Sequence, residues 1–218
     1  MKIFLDTANL AEIEQAVSWG ILDGVTTNPT LMSKAGASDF RAHLKQICDL
    51  VQGPVSGEVI SLEPEGMLEQ AHELAAISPH MVIKVPMTIA GLQVCKKLST
   101  ENIAVNMTLI FNPAQALLAA KAGAAYVSPF IGRLDDISHF GMDLIRDIVA
   151  IFERYGFETH CLAASLRHPL HVVEAALAGA HVATLPWQVL EKLIHHPLTD
   201  MGIHRFLEDW KKIRPDGW

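Results

Sequence analysis

A chain of 218 residues is long enough for one large domain with a substantial core. Its net charge is −7, with no basic block and no aromatic–basic interleaving, so nucleic acid is a poor candidate partner. Half of the residues are apolar and mean hydropathy is +0.25, yet no apolar run reaches the roughly 18 residues that a bilayer span requires, so no membrane association is expected.

The N-terminus, Met1-Lys2-Ile3-Phe4-Leu5-Asp6, opens like a signal peptide but meets a carboxylate at once, which argues against secretion. Short apolar runs recur at Lys2–Asp6, Leu22–Thr26, Val55–Val59, Met81–Val85, Ala104–Thr108, Tyr126–Pro129, Thr159–Ala163 and His181–Thr184. The stretches between them carry helical spacing, as in Leu10-Ile13-Val17, Met67-Ala71-Leu74 and Ala114-Leu117-Leu118-Lys121. Asn112-Pro113 and His168-Pro169 place proline near a first helical position, and Gly123, Gly156 and Gly179 follow helical patterns as C-terminal caps do. Parallel neighbours need a helical crossover, so eight strands alternating with helices predict an α/β fold, a closed (β/α)8 TIM barrel. A doubly wound open sheet is the alternative, but no G-x-G-x-x-G follows the first strand. One domain is expected over 1–218. An extra C-terminal helix is expected over 199–213, where Ile203, Phe206, Leu207 and Trp210 form an apolar stripe that can cover the barrel or dock on a neighbouring subunit.

Chemistry in such barrels gathers at the C-terminal ends of the strands. Those ends carry Asp6-Thr7, Thr26-Thr27-Asn28, Glu58, Lys84, Asn106 with Thr108, Ser128-Pro129-Phe130 leading to Arg133, Ser165-Leu166-Arg167, and Thr184. Strand parity puts Ile83 and Val85 on one face and Lys84 on the other with Val82 and Pro86. Taken alone, Lys84 reads as a stem snorkelling to water. Desolvation, however, disfavours an ammonium, and a free amine can form a Schiff base with a carbonyl substrate. The other positions have ordinary readings too: Asp6 as a helix N-cap, Thr26-Thr27-Asn28-Pro29 as a turn, Asn106 and Thr108 as a hydrogen-bonded core pair, Arg133 and Arg167 as surface ion pairs. Placement weakens all of these together. Carboxylates on strands 1 and 3 and a lysine on strand 4 converge on one mouth, an acid/base set around an amine nucleophile.

Eleven histidines include no H-E-x-x-H, and His168 with His171 lacks a third ligand, so no metal site is expected. His195-His196-Pro197 reads as a helix end. Cys48, Cys95 and Cys161 are odd in number and far apart, as reduced thiols of a cytoplasmic protein would be.

Six motifs in order resemble the small-subunit transaldolases, the group that includes fructose-6-phosphate aldolase. They are Phe4-Leu5-Asp6-Thr7-Ala8-Asn9, Gly24-Val25-Thr26-Thr27-Asn28-Pro29-Thr30, Val82-Ile83-Lys84-Val85-Pro86-Met87-Thr88, Asn106-Met107-Thr108-Leu109-Ile110-Phe111-Asn112, Tyr126-Val127-Ser128-Pro129-Phe130-Ile131-Gly132-Arg133 and Ala163-Ala164-Ser165-Leu166-Arg167. The resemblance runs from the first residue to about Trp210. It implies a (β/α)8 barrel, a Schiff-base lysine and no metal or organic cofactor. Lys84 matches that lysine, and Asp6 the acid/base for the C4 hydroxyl. Glu58 and Thr108 match the pair that holds a catalytic water. Asn28 and Asn106 match residues that grip the dihydroxyacetone hydroxyls, and Arg133, Ser165 and Arg167 match the sugar-phosphate site. Thr27, Ser128 and Phe130 are expected to line the substrate site with them.

Aldolase members of the group tend to have Gln at the position of Glu58 and Tyr at that of Phe130, so Glu58 and Phe130 follow the transaldolase pattern. The implied reaction moves a dihydroxyacetone unit from sedoheptulose 7-phosphate to glyceraldehyde 3-phosphate, in the non-oxidative pentose phosphate pathway. The alternatives are an aldolase releasing free dihydroxyacetone and a non-catalytic sugar-phosphate-binding barrel. The resemblance also implies a homo-oligomer, a pentamer or decamer, with the C-terminal helix reaching a neighbour.

Overall fold

A computed structural model describes residues 1–213; positions 214–218 of the expected domain lie outside the described residues. Eight strands are present: β1 (Lys2–Asp6), β2 (Gly24–Thr26), β3 (Val55–Glu58), β4 (Met81–Pro86), β5 (Val105–Ile110), β6 (Tyr126–Pro129), β7 (His160–Ala163) and β8 (Val182–Leu185). All pair in parallel and in sequence order, and β8 returns to β1 to close the barrel. Strand boundaries depart from the sequence reading by a residue or two. The largest difference is at β5, which continues to Ile110 because Phe130 N–H donates to the Ile110 carbonyl at 3.0 Å.

The helices are α1 (Leu10–Ser18), α2 (Pro29–Lys34), α3 (Phe40–Val51), α4 (Pro64–Ala75), α5 (Ile89–Thr100), α6 (Pro113–Ala122), α7 (Ile131–Asp135), α8 (Gly141–Tyr155), α9 (Pro169–Leu177), α10 (Trp187–Lys192) and α11 (Pro197–Ile213). Their starts follow local chemistry. Asn28, Thr88 and Asn112 each accept a backbone N–H from the first turn of α2, α5 and α6. Gly123 and Gly156 end α6 and α8 in the left-handed region, where a Cβ is costly. Asp6 does not cap α1. That role falls to Asn9, whose side chain accepts from Ala11 N–H at 3.0 Å, leaving Asp6 for the barrel mouth.

The alternation of each strand sorts its side chains into two cores. Outward residues such as Leu5, Val25, Ile83, Val85, Met107 and Val127 pack against the helices in one large cluster. Inward residues Phe4, Leu162, Ala164 and Val182, with Tyr126 and Phe130 against them, fill the barrel interior. This apolar plug closes the barrel below the polar mouth, so the mouth is a floored recess rather than a pore. The three cysteines are free and buried, and burial pushes the Cys95 and Cys161 thiols up to about 12, which keeps both as inert packing groups.

Two readings near the C-terminus change. His195-His196 does not end a helix: α10 stops at Lys192, and His196 Nδ1 accepts from Leu198 N–H at 3.2 Å at the start of α11. α11 therefore begins two residues before the expected 199, with Pro197 in its first turn. No residue of α11 is buried, and Ile203, Phe206, Leu207 and Trp210 are all exposed. No described helix is long and apolar enough to cross a membrane.

Candidate active site

Lys84 is 6 % exposed at the mouth end of β4. The register sets it between Glu58 of β3 and Asn106 of β5. Its Nζ lies 3.1 Å from Glu58 Oε2 and donates to the Thr27 carbonyl at 3.2 Å. A buried ammonium needs such partners, and the Glu58 carboxylate is the charged one. What Thr27 presents to Lys84 is its backbone. Its hydroxyl is fully buried and donates to the Ser56 carbonyl at 2.7 Å.

Asn106 is also fully buried and held on both sides. Its Nδ2 donates to Ser56 Oγ at 3.2 Å, and its Oδ1 accepts from Ser128 Oγ at 2.6 Å. Thr108 stands apart: among the described residues its Oγ1 is the buried side-chain polar atom without a hydrogen-bond partner. It sits where the β5–β6 register shifts, next to Leu109 at φ +61°. Such irregularities re-aim a side chain at the cost of ladder pairing.

Across the mouth, Asp6 Oδ1 accepts from Thr26 Oγ1 at 2.8 Å, and the Thr26 and Thr184 hydroxyls lie 2.6 Å apart. Burial pushes the Asp6 carboxyl above its ordinary range, while the Lys84 charge and the Thr26 bond pull it partly back. A carboxyl tuned upward in this way holds a proton more readily than an exposed one, which suits an acid/base. Thr26 and Thr184 are strand-end residues to which the sequence reading gave no site role, although their inward parity was visible.

A recess of about 410 Å³ opens above this floor. It brings together Asp6, Asn28, Lys84, Ser128, Phe130, Arg133, Ser165 and Arg167 of the expected set, and adds Lys34. Thr27, Asn106, Glu58 and Thr108 do not line it, although the Thr27 carbonyl and the Glu58 carboxylate hold Lys84. The guanidinium of Arg133 lies 5.3 Å over the Phe130 ring. Arg167 donates from Nη2 to Asp136 Oδ2 at 2.7 Å, an ion pair that strand parity could not reveal because Asp136 follows the short helix α7.

Residues 3–216 match the sequence profile described as Transaldolase/Fructose-6-phosphate aldolase. The chain belongs to this family. A "Probable transaldolase" of Kosmotoga olearia is 59% identical over 214 residues, covering 98% of each chain. Proteins with the same description are 57% identical in Syntrophobacter fumaroxidans, over 98% of each chain, and 58% identical in Thermodesulfovibrio yellowstonii, over 98% of this chain and all of the other. A solved structure described as "Native KDPGal structure" superposes with a TM-score of 0.59 at 18% identity, covering 84% of this chain and 80% of that one, which shows a shared fold.

No group of three or more His, Cys, Asp or Glu among the described residues is placed to hold a metal ion. His168 and His171 stack at 3.7 Å, and a carboxylate does lie beside them, against the sequence reading: Asp135 Oδ2 is 3.1 Å from His171 Nε2, brought there by α7. In this member of the transaldolase family the two arginines share one rim because of Gly132. A Cβ there would stand 2.3 Å from the Ser165 carbonyl oxygen and 2.7 Å from Arg167 Nε. Ser165 itself is held at φ +60°. Gly132→Ala is expected to push the α7 and β7 rims apart and to raise KM by about tenfold or more. Initial-rate kinetics checks this; an unchanged KM would show that the rim tolerates the methyl group.

Proposed function

We propose that the protein is a transaldolase that carries a dihydroxyacetone unit on Lys84. The observation that carries this reading is a buried lysine amine held between Glu58 and the Thr27 carbonyl, facing a recess that also contains Asp6. Once deprotonated, the amine attacks the C2 carbonyl of sedoheptulose 7-phosphate. Glu58, with a water shared with the Thr108 hydroxyl, moves the protons that turn the carbinolamine into an imine and expel water. Asp6 takes the C4 hydroxyl proton, the C3–C4 bond breaks, and its electron pair passes into the imine as an enamine. Erythrose 4-phosphate departs. The enamine carbon then adds to the aldehyde of glyceraldehyde 3-phosphate, Asp6 returns its proton to the new hydroxyl, and hydrolysis of the imine releases fructose 6-phosphate. Asn28 and Ser128 offer polar contacts to the bound three-carbon unit, and Arg133, Ser165 and Arg167 to the phosphate.

Phe130 supports transfer over release. It lines the recess and has no hydroxyl to protonate the enamine. Turnover of fructose 6-phosphate is therefore expected to depend on an added aldose acceptor. Phe130→Tyr combined with Glu58→Gln should raise acceptor-independent release of dihydroxyacetone by about tenfold or more relative to transfer. A coupled assay run with and without acceptor measures both, and wild-type turnover that ignores the acceptor would favour the aldolase reading. Treatment with fructose 6-phosphate and borohydride should leave a mass increase on Lys84; no adduct would favour a non-catalytic sugar-phosphate-binding barrel.

We also propose that copies associate through α11, as the family resemblance implies. The exposed Ile203, Phe206 and Leu207 are its apolar contacts. Light scattering should give a pentamer or larger, reduced by Phe206→Asp with Leu207→Asp. A particle at the 23.9 kDa of one chain would reject the assembly.

A further inference from the structure

Charge pairing around the recess separates its cations into two classes. Lys84 is matched by Glu58 at 3.1 Å, and Arg167 by Asp136 at 2.7 Å. Each pair is close to neutral as seen by a ligand. Arg133 and Lys34 also line the recess, and among the described residues neither has a carboxylate within ion-pair distance. Lys34 is the last residue of α2, whose N-cap is Asn28, and it is exposed. It borders a second recess of about 360 Å³ that shares Asp6 with the first. The acidic groups there are already engaged: Asp6 accepts from Thr26, and Glu12 accepts from the Thr7 hydroxyl at 2.6 Å.

A phosphate monoester carries about −1.5 to −2 charge near neutral pH. Arg133 supplies one positive charge. Arg167 supplies donors but little net charge, because Asp136 cancels it. An ionised Asp6 enlarges the deficit. The remaining uncancelled cation on the recess wall is Lys34, a compact charge on a flexible stem with three rotatable donors, which suits a phosphate oxygen.

We propose that Lys34 is the second cation of the phosphate site, paired in function with Arg133, and that it sets the preference for phosphorylated over unphosphorylated sugars. This rests on the sugar-phosphate reading above, and it adds a residue to which the sequence motifs assign no role. Asp136 is a positioning residue: it aims the Arg167 fork while withholding its net charge.

The test is titration calorimetry with inorganic phosphate on the full-length wild type, Lys34→Gln, Lys34→Arg and Asp136→Asn. Lys34→Gln should weaken phosphate about tenfold, and Lys34→Arg should recover most of that loss. Asp136→Asn should tighten phosphate by restoring the Arg167 charge; weakening there would overturn the charge assignment. The ratio of kcat/KM for fructose 6-phosphate to that for fructose should fall about tenfold in Lys34→Gln. Phosphate affinity in Lys34→Gln within about twofold of wild type overturns the proposal, even if wild type forms the Lys84 adduct. Phosphate binding that depends on Lys34 in a protein that forms no adduct would leave this inference standing and remove the transaldolase reading.

Discussion

Lys84→Met should lower kcat by about 10⁴-fold or more and abolish the borohydride-trapped adduct, because the covalent route needs the buried amine that this change removes. Methionine approximates the length of the lysine stem and removes only the charge and the nucleophile. The same change should destabilise the protein. Glu58 loses the cation at 3.1 Å and remains as a largely buried carboxylate, a situation that costs about 3 kcal/mol, or roughly 6–12 °C in Tm for a chain of this size. Calorimetric melting and intact-mass analysis test the two halves separately. Retention of an adduct would place the Schiff base elsewhere, and an unchanged Tm would show that the ion pair contributes little to folding.

Asp6→Asn should produce a different pattern. Turnover should fall about 10²–10⁴-fold, the range for loss of a positioned acid/base, while the Lys84 adduct still forms. Accumulation of trapped adduct with little product would place Asp6 after imine formation and at C–C cleavage. The stability effect has the opposite sign to that of Lys84→Met. Burial raises the folded-state pKa of Asp6, so the folded chain holds this proton to higher pH than the unfolded chain does. The stabilising contribution is full below the ordinary carboxylate range and disappears as pH rises through the raised value. At neutral pH the carboxylate is a net cost, which asparagine removes while its Oδ1 can still accept from Thr26. Asp6→Asn is therefore expected to melt at or above wild type at pH 7. A clearly lower Tm, or turnover within about tenfold of wild type, would reject the assignment. The pairing of lost activity with gained stability is what a buried functional carboxylate predicts.

Much of this site was legible before any contact was known. Asp6, Glu58, Lys84 and Asn106 occupy inward positions of strands that the apolar runs locate to within a residue or two. Parity, together with the rule that barrel chemistry gathers at strand C-termini, was enough to bring them to one mouth. Three features were not legible. Thr27 was expected to face substrate, yet its side chain is committed to Ser56 and its carbonyl meets Lys84. Arg167 could belong to the sugar-phosphate site or to a surface ion pair, and only the fold shows that its carboxylate partner is Asp136. Lys34 lies on a helix end, where parity gives no inward or outward assignment.

The sequence by itself determined the alternation of strand and helix, the polar residues at the strand ends and the family to which the chain belongs. These depend on local periodicity and on residues in fixed order, which a linear reading retains. The tertiary structure alone decided which atoms touch: Glu58 on Lys84, Thr26 between Asp6 and Thr184, Asp136 on Arg167, and Lys34 on the recess wall. Such contacts cross strands or join a helix to a loop. They follow from barrel closure and from close approaches such as that at Gly132, and those are set by the packing of the whole chain rather than by any segment of it.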